Sequence, residues 1–212
     1  MSNTTEGPLI YIIDDDEELR LSLDSVFRSV GLKTRSFGSA KDFLEAKRPD
    51  VLSCLVVDVR LPGISGLDFQ DQLAKSGAFV PIVLMTGHGD IPMTVRAMKA
   101  GAVDFLAKPF RDQDMLDAVS AALQLDRERR AGDSELAALR NRYAELSLRE
   151  KQVMALVTTG LMNKQVAGKL SLSEVTVKIH RGSAMRKMEA RTLADLVKMA
   201  ELLKLHDTLI QS

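Results

Sequence analysis

Polar residues stand at the ends of the chain's most apolar runs, and this placement constrains the fold more than any other feature. Leu9–Ile13, Cys54–Val57 and Ile82–Met85 are short, rich in β-branched residues and almost wholly apolar, the pattern of strands buried on both faces of a parallel sheet. Lys33–Phe37 and Val103–Ala107 are weaker strand candidates. Amphipathic stretches lie between these runs. Ser39 is followed by Asp42 and Ser65 by Asp68, the spacing of a helix-starting capping box, and Gly31 and Gly101 suit left-handed helix ends. Five strands alternating with five helices predict an open, doubly wound α/β sheet, which binds ligands at the carboxyl ends of its strands.

The residues at those ends are chemically selective. Asp14, Asp15 and Asp16 follow the first strand, Asp58 the third, Thr86 the fourth, and Lys108 with Pro109 the fifth. A parallel sheet brings all of them to one edge, although Asp14 and Lys108 are 94 residues apart. Several carboxylates at such close range repel one another unless a cation relieves them. An all-oxygen donor set with positions left for water suits Mg²⁺. A carboxylate can also attack phosphorus and form an aspartyl phosphate. Phosphoryl transfer then needs a metal, a cation and a hydrogen-bond donor in position, and Mg²⁺, Lys108 and the Thr86 hydroxyl would supply them.

Ile12-Ile13-Asp14-Asp15-Asp16, Val56-Val57-Asp58 with Pro62-Gly63, Met85-Thr86-Gly87 and Ala107-Lys108-Pro109-Phe110 resemble, in order and spacing, the receiver domain of two-component response regulators. The resemblance covers roughly residues 8–125 and implies the flavodoxin-like, five-stranded version of the sheet. It implies Asp58 as phosphoacceptor. Asp15 and Asp58 would be direct Mg²⁺ ligands, Asp14 would act through water, and the backbone carbonyl of Arg60 would complete the set. It further implies Thr86 as the switch hydroxyl, Phe105 as the aromatic that changes rotamer with it, Lys108 as the phosphate-binding cation, and a cis Lys108–Pro109 bond. Asp16 is expected to cap the following helix. A phosphatase built on an aspartyl phosphate typically carries a second Asp two residues beyond its nucleophile. Arg60 occupies that position here, which argues against such an enzyme.

The back half reads differently. Lys plus Arg minus Asp plus Glu is −5 over residues 1–125, zero over 126–145 and +5 over 146–212, within a net charge of zero. The basic segment is the one suited to a polyanion. Residues 126–145 read as a helical linker interrupted at Gly132-Asp133-Ser134. Its narrow stripe of Leu136, Leu139, Tyr143 and Leu146 either packs on its own domain or forms a seam with a second subunit. From Ser147 onward no strand pattern remains. Ser147 with Glu150 forms a capping box, a helix starts at Asn163 and ends near Leu170, and another follows a turn of about three residues with Ser173 as its N-cap. That is helix-turn-helix spacing.

The stretch from about 144 to 205 resembles the LuxR-type DNA-binding domain, and the last domain is expected to span 146–212. Together with Gly87-His88-Gly89-Asp90 and Ala102-Val103-Asp104-Phe105, it is most similar to the FixJ-like branch of the NarL group. By matched position, Lys178, Ile179 and Gly182 would face base edges in the major groove. Lys164, Thr176, His180, Arg181 and Lys187 would meet phosphates. Gly182 departs from the usual pattern, where a larger side chain is common. It and Gly168 either allow close approach to DNA or to partner helices, or are merely tolerated. The implied partners are a sensor histidine kinase, double-stranded DNA, RNA polymerase and, on phosphorylation, a second copy of the chain.

Other function classes lack their signatures. Cys54 is the only cysteine, which precludes an intramolecular disulfide and fits a small core residue in a reducing compartment. The N-terminus has no signal-peptide pattern, and no run approaches the ~20 apolar residues of a membrane span, so a cytoplasmic protein is expected. His88, His180 and His206 are far apart and lack metal-ligand spacing. The expected protein is a transcriptional regulator, an activator rather than an enzyme with substrate turnover. Two rivals have distinct signatures. A C-terminal domain that binds protein would lack salt-sensitive DNA binding. An acidic site that hydrolyses phosphate esters would turn over repeatedly, whereas a phosphoacceptor labels once.

Overall fold

The computed structural model describes residues 7–76, 79–88 and 90–205; Gly89 and His206 lie outside them. The chain divides into two compact units, Met1–Arg129 and Arg130–Ser212. In the first, strands β1 (Leu9–Ile13), β2 (Lys33–Phe37), β3 (Ser53–Asp58), β4 (Ile82–Thr86) and β5 (Asp104–Ala107) alternate with helices α1 (Glu17–Ser29), α2 (Ala40–Glu45), α3 (Gly66–Lys75), α4 (Ile91–Lys99) and the first part of α5 (Asp112–Ala144), whose remainder belongs to the second unit. The sheet is parallel throughout, in the order β2-β1-β3-β4-β5, the doubly wound architecture that the apolar runs predict.

The two-residue period of the strands sorts the core into two layers. Tyr11, Ile13, Leu55, Val57 and Leu84 face α2, α3 and α4, where Phe43, Phe69, Leu73 and Ala97 meet them. Ile10, Ile12, Cys54, Val56, Val83 and Met85 face α1 and α5, against Leu23, Phe27, Met115 and Val119. β1, β3 and β4 are the strands with neighbours on both sides, which is why their sequences are apolar at successive positions. β2 and β5 lie at the sheet edges and keep exposed positions, which is why they are weaker in sequence. Cys54 is fully buried and free, and burial raises its thiol pKa. Gly31 and Gly101 have φ of 78° and 89° just beyond α1 and α4.

Two local expectations are corrected. Ser65 caps α3 by accepting from Leu67 N at 3.3 Å, but Asp68 does not close the box, because its carboxylate pairs with Arg96 on α4 at 2.7 Å. Gly132-Asp133-Ser134 does not interrupt the helix: α5 runs unbroken from Asp112 to Ala144. An interior glycine costs about 1 kcal/mol relative to alanine, and the strong helix formers around it, Ala131 and Glu135 to Leu139, offset that.

The second unit also contains α6 (Leu148–Val157), α7 (Asn163–Leu170), α8 (Glu174–Lys187) and α9 (Leu193–Leu202). Leu139 and Leu146 are buried in its core with Val153, Val166, Val177 and Leu196, and Leu136 and Tyr143 pack against it. The stripe therefore packs on its own unit, and a seam with a second subunit is left without those side chains. Among the described residues no helix is long and apolar enough to cross a membrane.

Candidate functional site

The topology delivers the polar residues to one edge. β1 and β3 pair in register, as do β3 and β4, and β4 and β5, so their carboxyl ends finish side by side. Lys108 Nζ lies 2.8 Å from Asp14 Oδ2 and 2.6 Å from Asp58 Oδ1. Backbone amides hold the opposite oxygens: Asp16 N donates to Asp14 Oδ1 at 2.9 Å, and Arg60 N to Asp58 Oδ2 at 2.6 Å. Asp14, Asp58 and Thr86 are all buried. Burial raises the Asp14 pKa and the Asp58 charge adds to it, against the lowering effect of Lys108 and the Asp16 amide. Burial acts to lower the Lys108 pKa, but its hydrogen bonds to the two carboxylates outweigh that and hold it above the ordinary lysine value.

The remaining predicted residues surround this core. Asp15 is exposed and lines an open depression of about 660 Å³ with Arg60, Pro62, Gly63 and Met93. Asp16 caps α1, accepting from Glu18 N and Leu19 N. Thr86 Oγ1 accepts from His88 N at 3.3 Å, Phe105 is partly buried against the α2–α4 layer, and the Lys108–Pro109 bond is cis. Among the described residues no three acidic, His or Cys side chains converge at metal-holding distance. Asp14 and Asp58 do converge on one Lys108 ammonium, Asp15 stands beside them, and every donor is oxygen. That chemistry fits a hard divalent cation.

Sequence reasoning missed Gly66. It opens α3 and donates its N–H to Val59 O at 2.9 Å, and a Cβ there would collide with the carbonyl oxygen of Asp58. Its absent side chain lets α3 start directly against the end of β3. The only signal was a glycine just after an N-cap serine, which does not reveal a close approach.

In the second unit, α7 ends at Ser171, in the left-handed region with φ 55°, and α8 starts at Ser173, whose side chain accepts from Thr176 N at 3.0 Å. Val166 and Ala167 of α7 and Val177 and Ala184 of α8 are buried together. The opposite face of α8 exposes Val175, Lys178, Ile179, Gly182 and Arg186, spaced as one helical stripe. The three residues expected at base edges therefore share one open face. Lys164 is exposed on α7 and His180 is half-buried. Thr176 Oγ1 bonds the Ser173 hydroxyl at 2.8 Å, and Arg181 Nη1 donates to Asn163 Oδ1 at 3.3 Å, tying α8 to α7.

Lys187 has an acidic partner within its own unit. Its Nζ lies 2.8 Å from the buried Glu150 carboxylate, which also accepts from Ser183 Oγ and Ser147 N, both at 2.7 Å. Lys187 and these donors hold the Glu150 pKa down to about 2. Lys187 thus neutralises a buried charge that clamps α6 to α8. The sequence pattern did not single out Val175, since a β-branched residue at helical spacing reads as core, nor Arg186, which reads as one more solvated cation.

Comparison with known proteins agrees with both domains. The response regulator receiver domain model matches residues 10–120, and the model for bacterial regulatory proteins of the luxR family matches residues 144–200. Nodulation protein W of Bradyrhizobium diazoefficiens is 58% identical over 195 residues, covering 92% of this chain and 86% of that protein. The structure of the response regulator StyR superposes with a TM-score of 0.79 at 48% identity, covering 92% of this chain and 98% of that one. Full-length FixJ from B. japonicum gives 0.57 at 38% identity, covering 94% and 98%. FixJ of Bradyrhizobium diazoefficiens, 39% identical over 197 residues, is a transcriptional regulatory protein, and a receiver domain implies a sensor kinase as partner. The chain belongs to the FixJ family of response regulators, with a receiver domain joined to a LuxR-type DNA-binding domain.

Proposed function

We propose that Asp58 accepts a phosphoryl group from the phosphohistidine of a sensor kinase and that this event controls DNA binding by α8. The observation that carries the reading is the Lys108 ammonium, within 2.8 Å of both Asp14 and Asp58. A carboxylate oxygen of Asp58 attacks phosphorus, the bond to the kinase imidazole breaks, and the imidazole leaves. Lys108 is placed to exchange Asp58 Oδ1 for a phosphoryl oxygen, and the Thr86 hydroxyl to donate to another. Asp15, Asp58 and the Arg60 carbonyl would hold Mg²⁺ directly and Asp14 through water; the ion would neutralise charge on the transferring group. The depression beside Asp15 and Arg60 leaves room for the donor.

The output rests on two surfaces. When Thr86 moves toward the phosphoryl group, Phe105 follows, and α4 and β5 change together. Ile91, Val95 and Met98 already form an exposed apolar stripe on α4, which supports a second copy docking there. A dimer would place two α8 helices on two half-sites. Lys178, Ile179 and Gly182 would face the bases, with Lys164, Thr176, His180, Arg181, Arg186 and Lys187 near phosphates. Bound in the cytoplasm at such a site, the dimer would activate transcription through RNA polymerase.

Incubation with a small phosphodonor and Mg²⁺ should label the protein stoichiometrically with an acid-labile phosphoryl group, and Asp58→Asn should abolish labelling. Phosphorylation should raise the sedimenting mass from monomer toward dimer, and Thr86→Ala should blunt that rise while labelling persists. Stoichiometric labelling of the Asn variant would overturn the assignment of Asp58, and an unchanged mass after phosphorylation would overturn dimerisation.

A further inference from the structure

Val175 and Ile179 lie one turn apart on α8, and 69% and 64% of their surfaces are exposed. Isolated apolar residues on a surface need no explanation. These two are adjacent, and they flank Lys178 on the open face of a helix in a basic unit. The next position on the stripe is Gly182, where a Cβ would meet nothing within 4 Å. The stripe therefore presents two branched hydrocarbon side chains, one ammonium beside them and an open gap.

We infer that Val175 and Ile179 read thymine methyl groups, so that the half-site of this protein is specified in part by hydrocarbon contact. The inference rests on the proposal above that α8 enters the major groove, and it names what that face recognises there. The thymine C5 methyl is the apolar group on a base edge in the major groove, and contact with it is a mode of direct readout. Charge complementarity favours DNA over a protein as the occupant: Lys164, Lys178 and Arg186 are exposed around the pair. Residues four apart on a helix are separated by about 6 Å along its axis, close to two base steps at about 3.4 Å each. The two side chains therefore suit thymines about two steps apart, with Lys178 reaching a base beside them.

Gly182 fits this arrangement. A long side chain there would hold the following turn away from the bases, whereas the gap lets two short branched side chains reach the groove floor. Val175 and Ile179 lie outside the core of their own unit and leave most of their surface in solvent, so truncating either should leave the fold intact. Their effect should therefore be seen on DNA alone.

The test uses the full-length phosphorylated protein and a duplex selected by it from a random library. Each thymine in one half-site is replaced in turn by deoxyuridine, which removes only the methyl group. One or two replacements should weaken binding by about fourfold each, the expected loss for one buried methyl. The same replacement should have no effect on the Val175→Ala or Ile179→Ala protein, which identifies the side chain that touches each methyl. Replacements that all change affinity by less than 1.5-fold would overturn the inference, as would an equal loss in wild type and both variants. Either result on a duplex that still binds sequence-specifically leaves α8 as the DNA reader and points to a protein partner for the apolar pair. If the phosphorylated protein selects no duplex at any salt concentration, the proposed DNA-binding function fails as well, a distinguishable result.

Discussion

The receiver site and the recognition helix treat their functional groups in opposite ways. At the carboxyl edge of the sheet, Asp14, Asp58 and Thr86 keep 1%, 5% and 0% of their surface, and every carboxylate oxygen of the two acids already has a donor. On α8, Lys178, Ile179 and Gly182, the residues assigned to base edges, lie in solvent. Chemistry at a phosphorus atom benefits from groups fixed and desolvated before the reaction, because no reorganisation is then needed as charge develops. Recognition of a duplex benefits from groups that give up water only to the correct partner. Glycines follow the same division: Gly66 is closed in by backbone, while Gly168 and Gly182 have nothing near them.

The largest expected effect would break the hidden side of this comparison. A Cβ at Gly66 would collide with the Asp58 carbonyl and crowd the Val59 backbone, so Gly66→Ala must displace α3 or the end of β3. Neither can shift cheaply, since both are backbone in a packed core. The variant should lose about 3 kcal/mol, the upper range for overpacking, and should label on Asp58 far more slowly even where it remains folded. Urea unfolding and the rate of phosphorylation measure the two effects. A variant with wild-type stability would show that the end of β3 is softer than its buried hydrogen bonds indicate.

The residues of the receiver site were legible because each ends a strand, and a parallel sheet turns that position into proximity. Asp14, Asp58, Thr86 and Lys108 needed only the alternation of apolar runs and helices to be brought to one edge. What was illegible depends on packing between elements distant in sequence. Lys187 reads as a basic residue on a DNA-binding helix, and only the approach of α6, which brings Glu150 to it across 37 residues, gives it an acidic partner. Asp68 has the spacing of a capping box, yet Arg96 captures it from a neighbouring helix. Val175 has the residue type of a core position, and its exposure follows only from which face of α8 meets α6 and α7. The Gly132 region failed for a local reason, since one glycine penalty was weighed without the helix formers beside it.

A smaller effect sharpens the comparison from the other side, because the second unit also has a hidden polar cluster. Glu150 is held at a pKa of about 2 by Lys187, Ser183 and the Ser147 amide, below the ~4.3 of an unfolded glutamate. A carboxylate with a depressed folded pKa stabilises fully above its unfolded value, and that stability disappears as pH falls through the folded one. Glu150→Gln should therefore weaken the second unit by about 2 kcal/mol near neutrality, typical for hydrogen bonds to a charged group. The gap between wild type and variant should stay constant above pH 5 and narrow between pH 4 and 2. Hydrogen exchange of the α8 amides in the full-length chain reports this locally. A gap independent of pH would mean that the Glu150 charge does not hold α8 in place.

The smallest effect concerns the open glycines, where stability and binding should part. Gly168 on α7 and Gly182 on α8 are interior helical residues with room for a side chain. Replacement of either by alanine removes the entropic cost of glycine in a helix, and each variant should gain up to about 1 kcal/mol. Gly182 belongs to the exposed stripe with Val175, Lys178 and Ile179, so its added methyl would stand between the helix and the base edges. Gly182→Ala should be more stable than wild type yet bind the selected duplex several-fold more weakly, with little change on a scrambled duplex. Gly168→Ala should gain the same stability and keep wild-type affinity, because no base-reading residue shares its face. Thermal unfolding and titrations of the two duplexes suffice to compare them. If both variants bind alike, the open gap on α8 is tolerated rather than used, and the close approach of that helix to the groove floor is wrong. If Gly182→Ala loses stability instead, the helix is strained at that point, and the exposed stripe owes its shape to packing rather than to DNA.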